Sequence, residues 1–258
     1  MSYKIKYDFC PLCEANDFVF DVKADCSNHP LYKAILPSTM TWMRCKQCDH
    51  MFLDGYFNED GNKIVFSETH ENQKTGYDIE NQRKISSKIL DKIIPFKNNG
   101  SWLDVGFGNA SLLFTAQEYG FYPVGVDLRL NNVKILNSLG IEAYCEYIQK
   151  IDFKRNFSVI SLMDVLEHVP YPKEMLSTVK KILEPNGIIV ISMPNTENIV
   201  WKEMTKQNVN PYLGELEHYH NFSRTRLYSL LEEFSIKPIR YSISDRYRVC
   251  MEIIAQNF

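Results

Sequence analysis

The chain has 258 residues, 45% hydrophobic and 24% charged, with a formal net charge of −3. That composition excludes a disordered chain and suits one sizeable core, or one α/β domain with a small appendage. No apolar run reaches the roughly 20 residues that span a bilayer. A slightly acidic chain is also poorly suited to gripping a nucleic-acid backbone, which takes clustered cations.

The first residues, MSYKIKYDFC, lack the apolar stretch of a secretory signal, so the expected location is cytoplasmic. Seven cysteines is an odd number, which in a cytosolic chain argues against a disulfide framework. Cys10 and Cys13 form one C-x-x-C knuckle, Cys45 and Cys48 a second, and 31 residues separate the two. Cys26, Cys145 and Cys250 are solitary. Two knuckles offer four thiolates, the donor set of tetrahedral Zn²⁺. Such a site has no open position, so the expected zinc is structural. Because the gap exceeds the 15–20 residues or so of a compact ribbon, the intervening segment is expected to form its own hairpin or loop.

The stretch HMFLDGYF reads as a strand followed by a turn-rich acidic segment. Ile85, Ile89 and Ile93, with Leu90 and Ile94 beside them, give helical spacing that Pro95 ends. From about residue 100 short β-branched runs alternate with helical patterns, which predicts a mostly parallel sheet wrapped by helices. Strands are expected at 102–105, 123–127, 141–145, 158–163 and 188–193, and helices at 110–119, 131–139, 172–184 and 224–234. Two late strands, 236–243 and 247–255, are separated by a short turn at 244–246 and are expected to pair antiparallel. A dinucleotide-binding sheet would add another crossover helix instead.

The first strand–helix turn reads LDVGFGNASLL. Gly106 and Gly108 let a ligand approach the backbone, and the following helix points its N–H groups into the same space. Nineteen residues after Gly108, Asp127 ends the second strand, where a carboxylate can take both hydroxyls of a ribose. The third glycine of a dinucleotide loop is replaced by Ser111. Asp104 beside the loop suits a ligand with an ammonium and a sulfonium better than a pyrophosphate.

These segments, with PVGVDLR, FSVISLMDVLEHV and ILEPNGIIVISMPN, resemble the class I S-adenosylmethionine-dependent methyltransferases over roughly residues 100–258. The resemblance implies an α/β, Rossmann-like core. Asp104, Gly106 and Gly108 would line the methionine end of the cofactor and Asp127 would take the ribose. Glu146 would flank adenine, while Met163 and Asp164 would close the pocket. Phe107 departs from the small residue usual at its position, and Ala110 from a glycine. Fused to the cysteine knuckles, the core is similar to bacterial methyltransferases with a four-cysteine zinc head, including sugar methyltransferases of surface-polysaccharide pathways. The expected organisation is a zinc-ribbon-like head at 1–60, a helical connector and acceptor lid at 61–99, and the methyltransferase core at 100–258.

Methyl transfer from a sulfonium requires an aligned acceptor and a base for its proton. His168, in DVLEHV, reads as pocket-shaping. The string E-H-x-x-x-F-S at 217–223 resembles an acceptor-side motif of the zinc-headed sugar enzymes. It makes His218 the candidate base, Glu217 its orienting partner and His220 a second candidate. The competing reading leaves both histidines as loop residues, Phe222 as an anchor and Ser223 as a helix N-cap. Tyr56 and Tyr77 are candidate acceptor contacts, and Trp201 a candidate lid residue. The expected partner is a small acceptor, a sugar or related building block, with no nucleic acid. The alternatives are a zinc-headed scaffold with a degenerate cofactor fold, an RNA methyltransferase, and an NAD-dependent oxidoreductase.

Overall fold

The structure, a computed structural model, describes residues 3–65 and 70–258. The N-terminal stretch holds β1 (Lys4–Lys6), β2 (Phe18–Asp25), β3 (Thr39–Cys45), β4 (Met51–Leu53), β5 (Gly55–Phe57) and α1 (Glu59–Val65). Then follow α2 (Ile79–Ile93), β6 (Gly100–Val105), α3 (Ser111–Glu118), β7 (Phe121–Val126), α4 (Leu130–Ser138), β8 (Glu142–Tyr144) and β9 (Phe157–Met163). The remainder is α5 (Pro172–Ile182), β10 (Leu183–Pro194), α6 (Ile199–Lys206), β11 (His220–Asn221), α7 (Arg224–Glu233), β12 (Ile236–Ile243) and β13 (Cys250–Asn257).

Residues group into two compact units, neither continuous in sequence. One comprises the described residues of Met1–Glu68 with Leu166–Lys173 and Pro194–Leu230; the other comprises those of Thr69–Val165 with Glu174–Met193 and Leu231–Phe258. The segments 166–173 and 194–230 belong to the same compact unit as the N-terminal cysteine region.

The second unit carries a seven-stranded sheet in the order β12-β13-β10-β9-β6-β7-β8. Strands β10, β9, β6, β7 and β8 run parallel, and β12 pairs antiparallel with β13, so the expected closing hairpin is present. Every residue of β9 is buried, as a strand covered on both faces requires. Helix α2 follows its isoleucine spacing: Ile89, Leu90 and Ile93 are buried in the core cluster with Trp102, Leu113 and Val159, and the helix stops before Pro95. The last strand starts at Cys250 rather than 247, and the boundary between α5 and β10 also differs from the sequence expectation. The helix expected to reach 184 ends at Ile182, and β10 begins at Leu183 with an irregularity before Ile188. Pro185 cannot donate to a ladder and Asn186 is left-handed at φ 57°, so the strand bulges there rather than starting afresh.

In the first unit the segment between the knuckles, expected as a hairpin or loop, is the antiparallel hairpin of β2 and β3, extended by β4 and β11 in the order β11-β4-β3-β2. Trp42, fully buried, donates its indole N–H to the Leu213 carbonyl at 2.8 Å and so ties the 211–213 turn to this sheet. Among the described residues no helix is long and apolar enough to cross a membrane.

Candidate functional site

The glycine loop lies at the C-terminal end of β6, where a parallel sheet gathers its ligand-binding loops. Gly106 (φ 69°) and Gly108 (φ 52°) both sit in the left-handed region, and a Cβ on Gly106 would come within 2.9 Å of Val165. Gly108 donates its N–H to Asp127 Oδ2 at 3.0 Å, and the Arg129 N–H donates to Asp127 Oδ1 at 2.8 Å. The buried Asp127 is thereby oriented by two backbone amides, with the Arg129 guanidinium at 3.2 and 3.3 Å from its oxygens. Arg129 and Asn132 also engage the preceding segment: Arg129 bonds Gln73 Oε1, and Asn132 donates to the Gln73 and Gly108 carbonyls.

Asp104 is buried at the end of β6 and accepts a 2.5 Å hydrogen bond from the Ser161 hydroxyl. Burial pushes its carboxyl up to about 7, against the opposing pull of that hydroxyl and of the Arg246 guanidinium. Met163 is buried at the end of β9. Asp164 follows in a left-handed conformation (φ 58°), accepting from Ser192 at 2.9 Å and paired with Arg246 at 3.3 Å. Glu146 follows β8 half-exposed, accepting from its neighbour's N–H at 2.8 Å and facing Lys150 at 3.8 Å.

Phe107, whose bulk departs from the family pattern, is buried in the core cluster. Its ring occupies the space a Cβ on Gly125 would need, with its Cδ1 at 2.7 Å from that position. The side chain is thus accommodated by the glycine in β7. Ala110 takes the left-handed conformation (φ 63°) at the α3 N-cap, a strain of about 1–2 kcal/mol for a residue with a Cβ.

The acceptor-side candidates lie in the first unit. His220 is fully buried on β11; its Nε2 faces the Val169 and Pro170 carbonyls at 2.9 and 3.3 Å, and its Nδ1 faces His50 Nε2 at 3.0 Å. Both ring nitrogens are engaged within the unit, and burial pushes the imidazole down to about 4. His218, two residues away, is different. It packs edge-on to His168 (4.7 Å between centroids) and face-on to Tyr212, and its Nδ1 has no hydrogen-bond partner among the described residues. Burial and the neighbouring His168 push it down to about 3, so it is neutral at physiological pH. Glu217 is buried, and its carbonyl accepts from His168 Nδ1 at 2.9 Å. Glu215 bonds His29, whose imidazole rises because that carboxylate outweighs the opposing effect of burial. Ser223 accepts from the Arg226 N–H at 3.0 Å and caps α7, while Phe222 is buried. Trp201 does not stand in an open loop: it is buried in the first turn of α6 and stacks on Tyr212 at 5.8 Å. Tyr56 joins Tyr7 and Tyr171 in an aromatic cluster, whereas Tyr77 is exposed.

Arg129, Ser161 and Arg246 join these clusters beyond the residues expected from sequence, and Glu167 lies close to His218. Only the LDVG…VDLR spacing hinted at Arg129; Arg246 reaches the site from a hairpin turn with no local signature.

Sulfurs of Cys10, Cys13, Cys45 and Cys48 all lie within 4.8 Å of one another. The Cys10–Cys48 and Cys13–Cys45 separations are 3.7 and 3.4 Å. A tetrahedral site with metal–sulfur distances of about 2.3 Å has edges of about 3.8 Å, so the donor set and spacing fit zinc. Cys13 is pushed up to about 11 by burial, and Cys48 is pushed up by the adjacent Cys10 sulfur.

An open parallel sheet closed by an antiparallel hairpin, with a glycine loop after its first strand and an acid after its second, defines a Rossmann-like methyltransferase fold. Solved structures share it. One is 1,6-didemethyltoxoflavin-N1-methyltransferase from Burkholderia thailandensis with bound S-adenosylhomocysteine (17% identity, TM-score 0.52, covering 68% of this chain and 78% of that one). Another is magnesium protoporphyrin IX methyltransferase from Synechocystis PCC 6803 (14%, 0.54, covering 80% and 90%). The family profile described as "Methyltransferase domain" matches residues 77–238, and the chain belongs to that family. Curated relatives include ubiquinone biosynthesis O-methyltransferases of Bradyrhizobium diazoefficiens (30% identical over 106 residues, 39% of this chain and 41% of the relative) and Pasteurella multocida (28% over 116 residues, 38% and 48%). The matched region spans less than half the length of these relatives.

Proposed function

We propose that the protein transfers a methyl group from S-adenosylmethionine to an oxygen of a small hydroxylated acceptor, a sugar, nucleotide-linked sugar or related surface-polysaccharide building block. The observation that carries the cofactor reading is the pairing of two left-handed glycines with the backbone-oriented Asp127 and the buried Asp104. When bound, the cofactor supplies an electrophilic methyl on a sulfonium. Asp104 would hold its ammonium, and Asp127 its ribose hydroxyls once the Arg129 guanidinium yields its two contacts. Met163 and Asp164 would close the pocket and Glu146 would flank adenine.

For the acceptor side we assign Glu217 and His218, and we give His220 a structural place. The neutral His218 imidazole offers a lone pair that can take the acceptor's proton or hold a cation that acidifies it. The names of the curated relatives favour oxygen as the methylated atom. The sugar assignment is supported by the cysteine head and the E-H-x-x-x-F-S string. We further propose that Cys10, Cys13, Cys45 and Cys48 hold a structural zinc. Titration calorimetry tests the cofactor reading: binding in the micromolar range is expected, and no heat up to millimolar S-adenosylmethionine would refute it.

A further inference from the structure

Cofactor binding leaves one buried cluster unexplained, in the unit that also carries the cysteines. Glu167, His168 and His218 each place a ligand-type atom within 4.8 Å of the others. Two imidazoles and a carboxylate suit divalent first-row metals and leave coordination positions open for water or substrate. His168 is set as a ligand would be: its Nδ1–H donates to the Glu217 carbonyl at 2.9 Å, which fixes the tautomer and directs the Nε2 lone pair elsewhere. His218 is only 6% exposed, and its Nδ1 has no hydrogen-bond partner among the described residues. A buried polar nitrogen in that state calls for an ion or an ordered water. Glu167, 1% exposed, brings negative charge to the cluster. The donor chemistry is unlike that of the four thiols, which favour a closed zinc site.

We propose that Glu167, His168 and His218 bind a divalent first-row transition metal, separate from the ion of the cysteine cluster, and that its open positions take oxygen atoms of the acceptor. His218 then serves as a ligand rather than as the proton acceptor. Any part of the ion in catalysis rests on the methyl-transfer reading: an ion so held would acidify a bound hydroxyl, whose proton leaves to water.

The test is titration of the metal-stripped full chain with Co²⁺. Two equivalents are expected, one with thiolate-to-cobalt charge-transfer absorption and a second without it, carrying imidazole ¹⁴N couplings in pulsed EPR. Glu167→Gln and His218→Gln should each weaken the second equivalent by about 100-fold or more and leave the first in place. A single, thiolate-only equivalent overturns the proposal, as does a second one that lacks nitrogen couplings or survives both substitutions. If a variant fails to fold, as a thermal melt would show, the nitrogen couplings of the unmutated chain decide. Calorimetry with S-adenosylmethionine separates the two readings. Cofactor binding without a nitrogen-ligated ion refutes the metal site and leaves the methyltransferase; the reverse refutes the methyltransferase and leaves the metal site.

Discussion

The glycine loop and the histidine cluster are both assembled from buried polar side chains, yet their hydrogen bonding differs. Each oxygen of Asp127 accepts from a backbone amide, one from Gly108 in the glycine loop and one from Arg129 in its own loop, so the carboxylate is oriented before any ligand arrives. His218 is also buried, but its Nδ1 has no such bond among the described residues. A group held by main-chain amides of its own sheet unit keeps its geometry without a ligand. A group lacking a bond depends on what binds it, and the cysteine cluster shares that dependence because four adjacent thiolates require a cation. The two regions should therefore respond differently to loss of ligand.

The largest difference is expected from Cys45→Ser. It should release the zinc proposed for the four thiols, worth on the order of 10 kcal/mol in small thiolate sites, and abolish hydrogen-exchange protection in the β2–β3 hairpin while β6–β9 stay protected. Elemental analysis with exchange mass spectrometry checks this; unchanged protection of the hairpin in metal-free protein would remove the contrast. Next comes the pH dependence of the sheet unit. Asp104 holds its proton up to about 7 in the folded chain, against 3.8 for the ordinary carboxyl. Between those values the folded state binds more protons than the unfolded one, so stability falls as pH rises through that window and is level above it. The total is about 4 kcal/mol. Urea unfolding of the cofactor-free protein from pH 4.5 to 8 should show this slope, and Asp104→Asn should remove it.

Phe107→Ala should cost about 3–4 kcal/mol, because the ring fills the space above Gly125 in the core. A loss below 1 kcal/mol in denaturant unfolding would mean that the ring does not pack there. The smallest effect concerns the histidine cluster. His218→Ala should lower turnover about 100-fold, equivalent to about 2.7 kcal/mol, with cofactor affinity nearly unchanged in calorimetry. Equal losses in both measurements would show that the cluster serves the cofactor rather than the acceptor.

Most of the sheet unit was legible in the chain because its signals are local. Isoleucine spacing marked α2, the apolar run 158–163 marked β9, and the Gly106–Gly108 loop with Asp127 marked the candidate cofactor end. The departure at Phe107 could not be judged from sequence, since its outcome rested on Gly125, a residue in another strand. The bulge at 183–188 was hidden for a related reason. Pro185-Asn186-Gly187 signals a break, but whether a strand resumes before or after it depends on pairing with β9.

Local chemistry, carried by runs and spacings of neighbouring residues, was determined by the sequence itself: two thiol knuckles, an alternating α/β order, a glycine loop and its acid. Tertiary structure decided which distant residues share a site. It packed 166–173 and 194–230 with the cysteine region, committed both nitrogens of His220 to carbonyls and His50, and brought Glu167 and His168 to His218. Those groupings cross some 50 residues of chain in the last case. Long-range packing and the satisfaction of buried polar groups set them, and neither leaves a periodic trace in the sequence.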